Sequence, residues 1–310
     1  MALKLVNFVP KSRPESLPRV GALVEDGIID IAEACEAAEI EGGCVGSVVD
    51  LLCCDDCLQM AREAVRYAES NFPLAAVRLL PPVMRPGKLL CLAGNYEEHI
   101  REGGGADAVH ASDKATPRVF MKPTPNTACG PDDPILIGRM TQFMDYEGEL
   151  AAIIGKRGKY LKAEEALEYV GGVMCFNDVS ERRLKIWERP EERPKDRFFD
   201  WLNGKWCDNS APMGPCAVPL ADAGDIQNLK LQTRVNGEIM QNSSTAAMIF
   251  SVARLVEYIS HMITLEPGDV IATGTPAGVG ITRGVSLKPG DVVEVEIEGL
   301  GVLRNPVARE

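Results

Sequence analysis

Two glutamates, Glu147 and Glu149, stand two residues apart in "MDYEGELAAIIGKRGK" (144–159), directly ahead of an apolar run over 150–154. That run reads as a buried strand. In a strand, residues i and i+2 point to the same face, about 6.6 to 7 Å apart. Two anions therefore enter one small volume, and if it is buried both cannot stay ionised without compensation. Spacing alone leaves three resolutions: a solvated face, an intervening basic residue, or a metal ion between them. A third carboxylate, Asp178, lies at the strand end of "GGVMCFNDVSERR" (171–183). By itself it reads as a turn residue. Together the three make an all-oxygen donor set with no histidine or cysteine, which suits Mg²⁺ or Mn²⁺ and leaves positions for water and a chelating substrate.

The next chemical pair is His99 and Glu102 in "AGNYEEHIREGGG" (93–105). Asn95 is a predicted helix N-cap and the glycines 103–105 a predicted stop. On that short helix positions i and i+3 share a face, and a carboxylate beside an imidazole orients it and raises its basicity, as a general base requires. The other two histidines are His110, in a predicted loop, and His261, at the end of an amphipathic helix and read as structural.

The elements that must position these groups are modest in size. The chain has 310 residues, 45% of them hydrophobic, enough for a sizeable core. "LKLVNFV" and "RVGALVEDGIIDI" read as strands, the latter folded at Asp26-Gly27, and 50–71 reads as helical. The proline-rich "LLPPVMRPGK" (79–88) places a boundary between a small N-terminal domain, 1–80, and a larger domain, 81–310. In the larger one, 163–172 reads as a short helix ended by glycine. Ile249, Val252, Leu255, Val256 and Ile259 mark an amphipathic helix.

Composition excludes several classes. A net charge of −12 with scattered Lys and Arg argues against nucleic-acid binding. No segment approaches the ~18 apolar residues of a membrane span, and the first residues lack the apolar core of a secretory signal. Ten cysteines at irregular spacings point to free thiols and a cytoplasmic location. Cys54 and Cys57 have CxxC spacing, but no second CxxC or histidine follows nearby, so they read as ordinary thiols.

The motifs "CLAGNYEEH", "FMKP", "DYEGELAAIIGK", "FNDVSERRL", "NGKWCDNSAPMGP" and "ATGTPAGVG" occur in one order over residues 88 to 308. In this the chain resembles the fumarylacetoacetate hydrolase family. The resemblance implies an α+β, β-rich fold, with a mixed β-sheet roll around a divalent-metal site beside a small N-terminal α/β domain, and a homodimer. It implies Glu147, Glu149 and Asp178 as metal ligands, for Mg²⁺ first, with Mn²⁺ or Ca²⁺ as alternatives. It also implies His99 and Glu102 as the water-activating pair, Lys205 as the active-site lysine, and Tyr96, Arg182 and Thr275 as substrate contacts. Lys185 stands where a substrate-binding glutamine is usual, replacing a donor–acceptor by a pure donor and favouring a more anionic or differently shaped substrate. "DVSERRLK" and "GKWCD" also depart from the family pattern. The stretch 186–201 looks about ten residues longer than usual, either a lid or a solvated excursion.

The expected reaction is hydrolytic cleavage of a C–C bond in a small anionic 2-oxo acid with a second carbonyl, an acylpyruvate or diketo sugar acid. His99 would deprotonate water, and Lys205 would stabilise the enolate left behind. The alternative on the same site is decarboxylation or isomerisation (tautomerisation) of a 2-oxo dicarboxylic acid. A third reading is a metal-stabilised protein without turnover.

Overall fold

The computed structural model describes residues 2–40, 46–104 and 115–310. Its largest sheet runs in the order Gly27–Asp30, Arg19–Val24, Leu5–Pro10, Ala211–Pro219, Val170–Asn177, Gly148–Ile154, Val270–Ala272, Leu89–Leu92, Val119–Met121. All neighbours on this path are antiparallel except Val270–Ala272 beside Leu89–Leu92. A second sheet has the order Glu238–Ser244, Lys230–Val235, Val292–Ile297, Gly301–Arg309, Ile135–Ile137. The fold is therefore α+β with mixed sheets, as expected. Among the described residues no helix is long and apolar enough to cross a membrane.

The continuous apolar run after Glu149 has a direct cause, because the strand Gly148–Ile154 is buried on both faces. Leu150, Ala152 and Ile154 pack toward the second sheet with Leu231, Val295 and Ile297, in a core that also takes Leu255 and Ile259 of the helix Val252–Met262. Ala151 and Ile153 face the other way, with Met174, Phe176 and the N-terminal Leu51 and Leu52. Each such fully buried large aliphatic side chain contributes about 1.5–3 kcal/mol, so the strand is held firmly where its carboxylates begin.

Of the local expectations, one holds and several yield to other contacts. The Asp26-Gly27 hairpin forms, pairing Arg19–Val24 with Gly27–Asp30. The 50–71 helix is two, Val48–Leu52 and Asp55–Tyr67, because Cys54 caps the second, its Sγ accepting from Cys57 N. Cys54 and Cys57 are also joined in a disulfide, correcting the reading of both as free thiols. The 163–172 helix stops at Ala166, followed by one 3₁₀ turn, and Gly171 and Gly172 sit inside the strand Val170–Asn177. They are glycines because a Cβ on Gly171 would lie 2.7 Å from the Leu52 carbonyl oxygen. Ile249 precedes the amphipathic helix rather than belonging to it. The 186–201 stretch is helical only from Asp196, in a helix that runs on to Asn203, with Trp201 and Leu202 packed against the core.

Gly148 separates the two glutamates because its side-chain direction points at the second sheet, where a Cβ would collide with Thr233 Oγ1. Gly148→Ala should therefore cost about 1–3 kcal/mol of stability through overpacking, measured by urea unfolding. A loss below about 0.5 kcal/mol would mean the sheets separate easily at this point.

Candidate active site and metal centre

Glu147 enters the site one residue before its strand, and Glu149 one residue inside it. The neighbouring strand Val170–Asn177 ends beside them, where Asn177 Oδ1 accepts from Glu147 N at 2.9 Å and Asp178 N donates to Glu147 O at 2.9 Å. That register brings carboxylate oxygens of Glu147, Glu149 and Asp178 within 4.8 Å of one another, all three residues being buried.

Three cations surround this cluster. Lys205 Nζ lies 3.0 Å from Glu147 Oε2 and 2.7 Å from Asp178 Oδ2. Lys122 Nζ lies 2.7 Å from Asp178 Oδ1 and donates to Val179 O. Arg182 pairs with Glu147 and, through Nε at 2.8 Å, with Asp145. Asp145 further accepts from Gly280 N and Ile281 N. Four carboxylates (Asp145, Glu147, Glu149, Asp178) thus share three cations. Glu149 is the one left over: Oε2 accepts from Gly274 N at 2.8 Å, but Oε1 is buried without a partner.

The protonation energetics follow the pairing. Burial, then the charges of Asp178 and Glu147, pushes the Glu149 carboxyl well above its ordinary range. Burial opposes ionisation of Glu147 too, but Arg182 and Lys205 overcome it and hold that carboxyl low. An orphaned carboxylate oxygen facing two more carboxylates, all hard oxygen donors, fits a divalent cation. Glu147, Glu149 and Asp178 are the residues that would hold it.

The helix Glu97–Glu102 carries the second constellation. His99 Nδ1 is 2.8 Å from Glu102 Oε1, and Glu102 Oε2 accepts from Gly278 N and Thr282 Oγ1. Asn95 is not the cap, correcting that expectation: Tyr96 occupies the position. Asn95 is buried instead, donating to Phe250 O and Thr273 O. Tyr96 is 2% exposed and its hydroxyl has no partner; burial and then the Glu149 charge push that phenol upward.

The remaining expected residues divide. The Thr275 hydroxyl is buried between Gly148 O, to which it donates, and Gln241 Nε2, from which it accepts. Lys185 stands farther out, half-exposed, 2.7 Å from Glu188, and lines a cavity that also touches Arg182. His261 is exposed, its Nδ1 2.9 Å from Glu257 O, and His110 lies outside the described residues. Lys122, Asp145 and Gln241 were not singled out from the sequence. The available signal was one lysine beside the strand Val119–Met121, and an aspartate opening the quoted "DYEGEL".

The description "Fumarylacetoacetate (FAA) hydrolase C-terminal" matches residues 88–308. The chain belongs to the fumarylacetoacetate hydrolase family. A mitochondrial oxaloacetate tautomerase of Bos taurus is 40% identical over 252 residues, spanning 81% of this chain and 76% of that protein. A solved fumarylacetoacetate hydrolase from psychrophilic Exiguobacterium antarcticum is 34% identical, with TM-score 0.73 and coverage of 99% of this chain and 100% of that one. A 2-hydroxyhepta-2,4-diene-1,7-dioate isomerase from Mycobacterium marinum is 29% identical, with TM-score 0.70 and 99% coverage of both chains. The fumarylacetoacetate hydrolase family members so matched are enzymes, and this chain is read as one.

Two outcomes are expected. Burying Glu149 without a cation costs free energy at neutral pH, whether the carboxyl stays ionised or takes up a proton, so Glu149→Gln should raise the Tm of chelator-treated protein, by roughly 1–3 kcal/mol of stability, and abolish the rise in Tm on adding Mg²⁺. A variant melting lower with chelator would show Glu149 to be paired after all. Burial raises the Glu102 pKa, but the bonds from His99, Gly278 and Thr282 outweigh it and the net shift is downward. A carboxyl lowered in the fold stabilises at pH above its unfolded value and loses that contribution as pH falls through the folded one. The stability gap between wild type and Glu102→Gln should therefore shrink as pH falls below about 4.3; a constant gap in pH-resolved melts would contradict this.

Proposed function

We propose that the protein catalyses keto–enol tautomerisation of a small 2-oxo dicarboxylic acid, with oxaloacetate as the first substrate to test and Mg²⁺ as the resident ion. The observation that carries this is the His99–Glu102 pair beside the buried triad of carboxylates. Support also comes from the curated oxaloacetate tautomerase that is 40% identical over 81% of this chain. Tautomerisation needs one group that takes a proton from carbon and returns it to oxygen, and charge that stabilises the enolate between those steps.

Glu102 accepts the Nδ1 proton of His99, which leaves Nε2 as the proton acceptor. Because Glu102 is also tied to Gly278 and Thr282, the imidazole is oriented from two segments. Lys205 and Arg182 keep Glu147 ionised as a ligand, and Lys122 with Lys205 pairs both oxygens of Asp178. A divalent cation held there would supply positive charge to the substrate's carboxylate and 2-oxo oxygen. Buried Tyr96, with its free hydroxyl near Glu149, is the substrate contact on that side.

Hydrolytic C–C cleavage is the second reading. The same dyad can activate water, and the solved Exiguobacterium antarcticum hydrolase is 34% identical over 99% of this chain. Ultraviolet decay of the oxaloacetate enol, run beside pyruvate release from acylpyruvates and from oxaloacetate, separates the readings. Accelerated, chelator-sensitive enol decay that falls about 10²–10⁴-fold in His99→Asn is expected. Pyruvate release from acylpyruvates, with no effect on enol decay, would replace the tautomerase reading with the hydrolase one.

A further inference from the structure

Outside the cluster, on the far side of Arg182, lies a cavity of about 520 Å³. Its walls come from the turn after Ser180–Glu181 and from the long 186–201 stretch with its helix Asp196–Asn203. Five Lys or Arg side chains line it against two carboxylates, Glu192 and Asp200, in a chain whose net charge is −12. The two carboxylates are already engaged. Asp200 takes Arg189 through both oxygens, and Glu192 takes Arg197 at 2.7 Å.

That leaves Arg183 and Lys185. The partner of Lys185, Glu188, is 88% exposed, so the pair is a weak surface contact. Among the described residues no carboxylate pairs with the Arg183 side chain; its guanidinium sits 4.8 Å above the Phe143 ring. Stacking on an aromatic face leaves the edge donors of a guanidinium free, and those donors match a carboxylate in bidentate fashion. Trp187 and Trp201 line the same space and offer apolar wall to a carbon chain.

We propose that this vestibule receives a second, distal carboxylate of the substrate, with Arg183 as its main contact and Lys185 as its second. The inference rests on the 2-oxo acid reading of the adjoining centre and narrows it. The cavity is larger than the two-carbon tail of oxaloacetate requires, so the preferred substrate is a 2-oxo dicarboxylic acid of five or six carbons, its charged tail crossing from Arg182 to Arg183.

Matched ligands test this without relying on turnover. 2-Oxobutyrate and oxaloacetate, 2-oxopentanoate and 2-oxoglutarate, and 2-oxohexanoate and 2-oxoadipate differ within each pair only by the distal carboxylate. Their affinities for the Mg²⁺-loaded protein would be measured by calorimetry, for wild type, Arg183→Gln and Arg183→Gln/Lys185→Gln. Both positions are exposed, so the fold should tolerate the changes. The dicarboxylate-to-monocarboxylate affinity ratio should peak at five or six carbons. It should fall about tenfold in Arg183→Gln, the loss of one charge-assisted contact, fall further in the double variant, and fall with added salt. A ratio near one at every length, or one unmoved by Arg183→Gln, would overturn the proposal. Selectivity that survives while oxaloacetate enol decay is not accelerated would refute the tautomerase reading and leave the vestibule standing. Failure of every 2-oxo acid to bind would overturn both.

Discussion

The structure turns on a charge imbalance that the fold cannot relieve by itself. Four buried carboxylates converge on three cations, and a Glu149 oxygen is the remainder. Burying even a paired ion costs several kcal/mol, and an unpaired one more. A chain would keep such a cluster only if something outside the polypeptide completes it. Much of the surrounding architecture follows from that need. Two strands paired in regular register at their ligand-bearing ends bring the ligands together, Gly148 lets the second sheet close behind them, and Gly274 approaches near enough to give Glu149 its single hydrogen bond.

Part of this was legible in the chain. The period of a strand puts residues two apart on one face, so the Glu147–Glu149 pair could be read directly, and the period of a helix does the same for His99 and Glu102. The apolar run behind Glu149 announced a strand with no wet face. What could not be read were partners set by distance in space. Lys122 reaches Asp178 across 56 residues, and its neighbourhood in sequence says nothing of that. Asp145 looked like the start of a motif, whereas its work is to hold Arg182 and the backbone at Gly280 and Ile281.

The misreadings have one physical origin. Asn95 has a strong local preference for capping a helix, yet it gains more from buried hydrogen bonds to Phe250, 155 residues away, and to Thr273. Gly171 resembles a helix stop, yet it is a notch that admits Leu52. The nominal helix over 50–71 breaks where Cys54 turns its side chain onto Cys57. In the first two cases a tertiary contact, and in the third a side-chain contact three residues along the chain, outweighed a propensity worth only a fraction of a kcal/mol to about 2 kcal/mol.

The helix Asp196–Asn203 walls the vestibule with Asp200 and Trp201, and Lys205 follows it by two residues. Trp201 also stands 5.8 Å from the Lys205 ammonium, and a Cβ on the intervening Gly204 would collide with the Glu181 carbonyl oxygen. The wall of the vestibule and the ammonium that pairs with Glu147 and Asp178 are thus carried by one continuous segment. This limits how the enzyme can diversify. A lineage that reshapes this wall for a new tail must preserve the helix's final turn or lose the charge balance beneath it. The freedom to explore new substrates therefore lies in the front of the stretch, before Asp196, where the chain can lengthen or shorten without moving Lys205.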